Sequence, residues 1–277
     1  MFETNDSYNS LDAACKARLD LFNLPSVNKY KKILYLDTDI IITGDLTPIF
    51  TLPRADILYV LREDTIDDVH HGSVLFGHEV NNYHDRSAFT SGILLFNNCL
   101  TIKWLFDTIK ADIVNRPHFF SCYDQPYIIY SAFKYKLFDN TTLLPYAVNN
   151  DMNIHSGKII HHFPFGPGQY QYKMDCMNGF LGNLNNHTQS IICSKLQNRK
   201  FTWKSSTIVF LDKFKLEAFG SGVYRRLGKR KIVATFGGRF GGRVGGRNHF
   251  IQFNNEYTQF VSIREDDSEH VIGNLCN

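Results

Sequence analysis

The sequence predicts an α/β fold: a three-layer sandwich around a mostly parallel sheet, followed by a small antiparallel β module. Three observations lead there. Short continuous apolar runs recur through roughly the first two thirds of the chain, the pattern of strands buried on both faces. Between them apolar residues fall at helical spacing, and strands alternating with helices build parallel sheets. From Phe201 onward the helical spacing stops and short alternating segments replace it.

The elements follow in order. From Ser10, an N-cap, the residues Leu11, Cys15, Leu19 and Phe22 share one face of a helix that Leu24-Pro25 ends. KKILYLDTDIII (31–42) is an apolar run between lysines and Thr43-Gly44-Asp45, and predicts one buried strand with Asp37 and Asp39 towards its carboxyl end. ADILYVLRED (55–64) and SGILLFNN (91–98) predict two more. Trp104, Leu105, Ile109 and Ile113 mark an amphipathic helix, and a second runs from about Asp124 to Phe133. KIIHHF (158–163) reads as a last strand entering a Gly/Pro-rich loop. Composition shifts near residue 197, which makes 1–197 and 198–277 the expected domains. In the second, TIVFL, KIVATF, HFIQF, YTQFVSI and HVIGN form an antiparallel meander of about 75 residues. Its tandem repeat GGRFGGRVGGR (237–247) has two readings: an RNA-binding arginine tract or an expanded hairpin loop between Phe236 and His249. Three copies between two strands favour the loop.

Composition narrows the function classes. The chain has 277 residues, 43% hydrophobic, with a formal charge of +3. That is ample core material and no polyanion-binding signature, so nucleic acid is not the expected partner. Six scattered cysteines without a CxxC pair read as reduced thiols. The sequons at Asn5, Asn140 and Asn186 read as chance matches in an Asn-rich chain. No apolar run reaches the roughly 20 residues of a membrane helix, and the polar start is not a signal peptide. A soluble cytoplasmic protein is expected.

The chemistry gathers at a few motifs. Two carboxylates one residue apart on a strand point the same way and can share a divalent cation that bridges a diphosphate. The competing reading of Asp37 and Asp39 is a turn whose aspartates cap backbone groups; on spacing alone that reading leads. Context adds to it. KARLDLFNLPSVNKYKKILYLDTDIIITGDL resembles the nucleotide-sugar-binding region of glycosyltransferase family eight: an Ala-Arg-Leu helix, a Leu-Pro linker, a Tyr-x-Lys segment and a strand carrying Leu-Tyr-Leu-Asp-x-Asp. The resemblance spans about residues 13 to 173.

It implies a GT-A-type sandwich and a retaining enzyme that takes a hexose from a nucleotide-sugar donor, a UDP-sugar first, to a hydroxyl of a carbohydrate or protein acceptor. It also implies site roles. Asp37 and Asp39 would ligate manganese or magnesium, and Arg18, Asp37 and Thr38 would meet the donor. AFTSGILLFNN resembles the family's Asn-(Ser/Ala)-Gly strand, with Ser91 and Gly92 beside the donor sugar and Thr90 in place of the Asn. YDQPYIIY supplies Asp124-Gln125, the family's catalytic pair at the transferred sugar; its plain reading is an Asp N-cap with Pro in the first turn. IIHHFPFGPGQYQYK matches a His-x-x-Gly-x-x-Lys motif with extra residues. Gly166, Gly168 and Lys173 are its donor-side members. Either His161 or His162 could be the metal ligand, and the Phe that follows favours His162. A nitrogen ligand suits manganese better than magnesium.

GT-A domains normally open with a strand that holds the base, ahead of the arginine helix; none is legible before Leu11. The resemblance therefore implies an N-terminally incomplete domain, a second chain supplying the strand, or an inactive relative, and leaves room for a homo-oligomer. The β module lies outside the resemblance and is similar to tails of glycosyltransferase-like proteins of giant DNA viruses. A non-catalytic glycan-binding protein is the main alternative. A nucleotidyltransferase or phosphohydrolase using the same acidic pair is another.

Overall fold

The structure, a computed structural model, describes residues 10–276 apart from 52, 84, 165–168, 212–213, 219, 229, 237–238, 241–242 and 245–246. The chain divides into two compact units, Met1–Phe180 and Leu181–Asn277.

In the first unit Ser10 caps a helix, its Oγ accepting from Ala13 N at 3.2 Å. That helix, α1 (Leu11–Lys16), is short, and the expected turns up to Phe22 continue as a 3-10 helix over Ala17–Asn23. The run 31–42 is not one strand. It forms β1 (Lys32–Leu36) and β2 (Ile40–Ile42), which belong to different sheets. β3 (Leu58–Thr65) leads through short helical turns, including α2 (Ser73–Phe76), to the long β4 (Ser87–Asn97). Then come α3 (Leu100–Asn115), α4 (Gln125–Tyr135), β5 (Phe138–Asp139), β6 (Ala147–Asn149) and β7 (Ile160–His162).

The main sheet has the order β1-β4-β3-β5, and a second sheet the order β2-β7-β6. Among the described residues of this unit, β3/β5 and β6/β7 pair in parallel, and β1/β4, β3/β4 and β2/β7 are antiparallel. The sheet is therefore mixed, not mostly parallel. A continuous apolar run reports burial of both faces, which any covered central strand shares whatever its direction. β4 runs against both neighbours and is fully buried from Ala88 to Phe96. Along β3 and β4 alternate residues serve two cores. Leu58, Val60, Leu94 and Phe96 meet Leu105, Phe106 and Ile109 of α3, while Tyr59, Leu61, Ile93 and Leu95 meet Leu143, Ala147 and Ile160. Trp104, read as part of the buried stripe, is 48% exposed and sets its ring edge-on to Tyr135; Ile102 and Phe106 take its place.

A 27-residue helix, α5 (Tyr170–Leu196), escaped the sequence reading. Asn178, Gly179, Gly182, Asn183, Asn185 and Asn186 dilute its periodicity with poor helix formers.

The second unit holds β8 (Lys200–Trp203), β9 (Ser206–Phe210), β10 (Lys215–Glu217), β11 (Ser221–Gly228), β12 (Lys231–Phe236), β13 (Arg239–Phe240), β14 (Arg243–Val244), β15 (Arg247–Phe253), β16 (Gln259–Arg264) and β17 (His270–Asn274). Eight of these form one antiparallel sheet in the order β17-β16-β15-β12-β11-β10-β9-β8. The sheet also closes on itself. Phe201 bridges to Leu275, and Cys276 N donates to Lys200 O at 2.8 Å. Phe201, Trp203, Phe210, Phe253 and Phe260 fill its interior. The Gly-Gly-Arg repeat lies between β12 and β15, which pair directly, so it is a hairpin connection carrying the small ribbon β13/β14.

Candidate active site

β1 stops at Leu36 because the chain leaves the main sheet there. Asp37 N donates to Gly92 O of β4 at 2.9 Å, and two residues later Phe163 N donates to Asp39 O at 3.0 Å beside β7. Residues 37–39 are thus a turn crossing from one sheet to the other. The carboxylates converge because the turn folds them together; strand alternation, the reason expected from sequence, does not apply.

The opposite wall comes from an irregularity in β4. Val60 pairs with Leu94 but Leu61 pairs with Thr90, so residues 91–93 have no partner on β3. Such bulges re-aim side chains near functional sites. Here the bulge presents Ser91 and Gly92. A Cβ on Gly92 would sit 2.6 Å from His162 Nε2 and 3.0 Å from Asp37 Oδ2, which is why a glycine stands there. Gly92→Ala is expected to weaken Mn2+ binding roughly 10-fold or more. Calorimetric titration with Mn2+ checks it; unchanged affinity would mean that His162 and Asp37 have no shared ligand.

Asp37, Asp39 and His162 bring ligand atoms within 4.8 Å of one another. Two features fit this trio to a divalent cation. Asp39 Oδ1 is buried without a hydrogen-bond partner, although His162 Nε2 lies 3.4 Å away. His162 Nδ1 bonds Asn149 Oδ1 at 2.9 Å, which turns Nε2 towards the carboxylates, as outer-shell partners of metal-binding imidazoles do. Tyr35 OH donates to Asp37 Oδ1 at 2.6 Å. His161 takes the other face of β7. Its Nε2 bonds Lys158 O at 3.1 Å and its ring lies against Phe180.

Three cationic or amide groups complete the centre. Arg18 is buried; Nη1 donates to Ser91 O at 2.6 Å and Oγ at 3.2 Å, and lies 3.3 Å from Asp37. Burial opposes its charge, but Asp124 and Asp37 more than compensate and raise its pKa. Lys173, in the first turn of α5, donates to Asp39 Oδ2 at 2.5 Å. Burial alone would raise the Asp39 pKa, yet hydrogen bonds and charge from His162 and Lys173 bring it down to about 2. Gln125 Oε1 accepts from Ser91 N at 2.9 Å and Ser91 Oγ at 3.1 Å.

The other expected residues stand apart. Asp124 stands at the N-cap position of α4, with Pro126 in the first turn, but its side chain makes no capping hydrogen bond, and it is not among the described residues lining the cleft. It is 1% exposed, and Arg18 Nε approaches its Oδ2 at 3.1 Å without hydrogen-bond geometry. Burial pushes its pKa up to about 6; Arg18 pulls it down and Asp37 pushes it up. Thr38 is exposed in the turn. Thr90 Oγ1 accepts from Gly92 N at 3.1 Å, so the residue in the Asn position serves the bulge itself. Gly166 and Gly168 lie outside the described residues.

These groups face a cleft of about 610 Å³ whose far wall carries Glu63, Asp64, Asp68 and His71. That wall was missed, since nothing in ADILYVLRED distinguishes a cleft-facing carboxylate from a solvated one. His71 is buried, with Nε2 3.6 Å from Glu63 Oε2 and Nδ1 bonded to Thr65 O. Burial disfavours its charge, but Glu63 outweighs burial and raises the pKa. Stability from this pair is full below the ordinary histidine value and is lost as pH rises through the higher folded value. Urea titrations between about pH 6 and 8 should show a loss of midpoint that His71→Gln lacks; parallel curves would refute it.

Residues 3–104 match the family model described as Glycosyl transferase family 8. That stretch carries Arg18, Asp37, Asp39, Ser91 and Gly92. Among solved structures, the crystal structure of the apo-form glycosyltransferase GlyE in Streptococcus pneumoniae TIGR4 is similar at 18% identity with a TM-score of 0.35. The match covers 62% of this chain and 46% of that chain, less than half its length. No curated protein matches. Among the described residues no helix is long and apolar enough to cross a membrane.

Proposed function

We propose that the protein is a metal-dependent retaining glycosyltransferase that moves a hexose from a nucleoside-diphosphate sugar, a UDP-sugar first, to a hydroxyl of a carbohydrate or protein acceptor. One observation carries the reading: Asp37, Asp39 and His162 converge in a cleft beside a buried Arg18 and Lys173. An O,O,N donor set with a buried, unpartnered Asp39 oxygen suits Mn2+, or Mg2+ with less preference. When bound there, the cation supplies positive charge against the donor's diphosphate.

The chain's own residues supply the rest. Arg18 and Lys173 offset the carboxylates and favour the charge that develops on the departing nucleoside diphosphate. Gln125 spends its carbonyl oxygen on Ser91, which leaves its amide N–H groups to donate to a sugar hydroxyl. In the transfer the bond from the anomeric carbon to the diphosphate oxygen breaks and one to the acceptor oxygen forms on the same face. The acceptor's proton leaves with the diphosphate. Asp124, behind Arg18, holds the guanidinium in place and does not itself touch the sugar.

The test is incubation of the protein with a panel of nucleotide sugars and Mn2+, with release of nucleoside diphosphate as the readout. Release with one or a few donors is the expected result. Release of nucleoside monophosphate would identify a nucleotidyltransferase or phosphohydrolase. No turnover, with glycan binding intact, would identify a non-catalytic glycan-binding protein.

A further inference from the structure

Beside the cleft lies a second hollow of about 390 Å³, and the two share Tyr123. Tyr123 is held at φ +52, a left-handed conformation that bulky residues rarely adopt and that surrounding structure must enforce. It immediately precedes Asp124 and Gln125, so the strained residue joins the second hollow to the Gln125 end of the cleft. His118 and Phe119 stand on the hollow's rim, Phe119 87% exposed, and Tyr127 lies in its buried floor. Tyr127 OH accepts from His118 N at 2.8 Å and donates to Arg116 O at 2.7 Å, which fixes the loop that presents Phe119.

Charge separates the two hollows. The cleft carries Asp37, Asp39, Glu63, Asp64 and Asp68 against Arg18 and Lys173. In the second hollow the formal charges are Asp12 and Lys16, which pair at 2.7 Å and cancel. A neutral groove with aromatic faces and a polar rim suits a ligand that has apolar faces and hydroxyl-bearing edges. Sugar rings have both. Nucleic acid would need an excess of cations, and a lipid chain would leave the Asp12–Lys16 rim without a role.

We propose that this groove is the acceptor subsite, and that its ligand is a neutral oligosaccharide. The far units stack on Phe119 and Tyr123 while the terminal hydroxyl reaches the cleft. This rests on the glycosyltransferase reading but is tested separately from it.

Saturation-transfer NMR on the full chain, with short and long members of neutral gluco-, galacto- and manno-oligosaccharide series as probes, reads the groove directly. Long members of one series should bind better than the monosaccharide. Phe119→Ala should weaken them roughly 3- to 10-fold, and Phe119→Trp should restore them. Phe119 is so exposed that its truncation removes no core contact. Equal binding by the wild type and Phe119→Ala, or no binding by any probe, overturns the proposal. So does a dimer in sedimentation that Phe119→Ala dissolves, because a second copy would then be the occupant. Donor turnover by the wild-type protein without saccharide reports on the glycosyltransferase reading alone. If turnover is absent while Phe119-dependent oligosaccharide binding persists, the glycosyltransferase reading falls, the acceptor role falls with it, and the groove stands as an oligosaccharide-binding site.

Discussion

Asp39→Asn loses at least about 100-fold of its Mn2+-dependent release of nucleoside diphosphate. The substitution keeps the shape of the side chain and removes its charge. Asp39 has two oxygens with different duties. Oδ2 accepts from Lys173, while Oδ1 is buried with no hydrogen bond and faces His162. An amide cannot meet both demands, since one of its two ends is an N–H donor. The folding cost is smaller, about 1–2 kcal/mol, because the lost pair is partly open to solvent. Thermal melts separate the two effects: a folded variant without turnover is the expected result. A variant that releases diphosphate at the wild-type rate would remove Asp39 from the metal site.

Asp124→Asn is expected to act in opposite directions on stability and activity. The folded pKa of Asp124 is raised to about 6 from an ordinary value of 3.8, chiefly by burial. The native state therefore holds this proton more tightly than the unfolded chain. Stability must fall as pH rises from about 4 to about 6, and the deficit persists above that range. Two pKa units correspond to about 3 kcal/mol as an upper bound. Asn mimics the protonated acid, so the variant should be the more stable protein at neutral pH, by up to that amount, with a flatter pH profile. Its turnover should nevertheless drop about 10-fold or more, because Arg18 loses the carboxylate that orients it. Urea midpoints across this range, together with kcat and KM for the donor, check both halves. A wild type and variant with the same pH dependence of stability would show that Asp124 ionises freely.

How far the site could be read from sequence depended on the range of each interaction. Asp37 and Asp39 were legible from their spacing and context, although the reason they meet, a turn between two sheets, was not. Tyr35 was not singled out, since its hydroxyl reaches Asp37 only through the way β1 enters the turn. Asn149 offered no local signal; its value comes from β6 lying beside β7, a pairing set by the fold. Gly92 was legible as a residue beside the donor sugar. That His162 packs directly against it emerged only with the bulge. Strand direction was also out of reach, since Leu58 to Leu61 and Ile93 to Phe96 would be equally apolar in either sense. α5 was overlooked because its well-buried residues among those described, Phe180, Ile192 and Leu196, are too widely spaced along the helix to show a period. In the second unit strict alternation and regular turns made the antiparallel strands plain, but the seam joining Phe201 to Leu275 spans the whole unit and leaves no mark on either segment.

That seam has a consequence for how the unit can be carried by a chain. With β8 and β17 side by side, entry and exit points are neighbours, so the unit needs attachment at a single spot on any host. Among the described residues, the eight-stranded sheet pairs its two outer strands with each other instead of offering them to stray chains. Such a unit is a self-contained cassette, movable between proteins without remaking its interior.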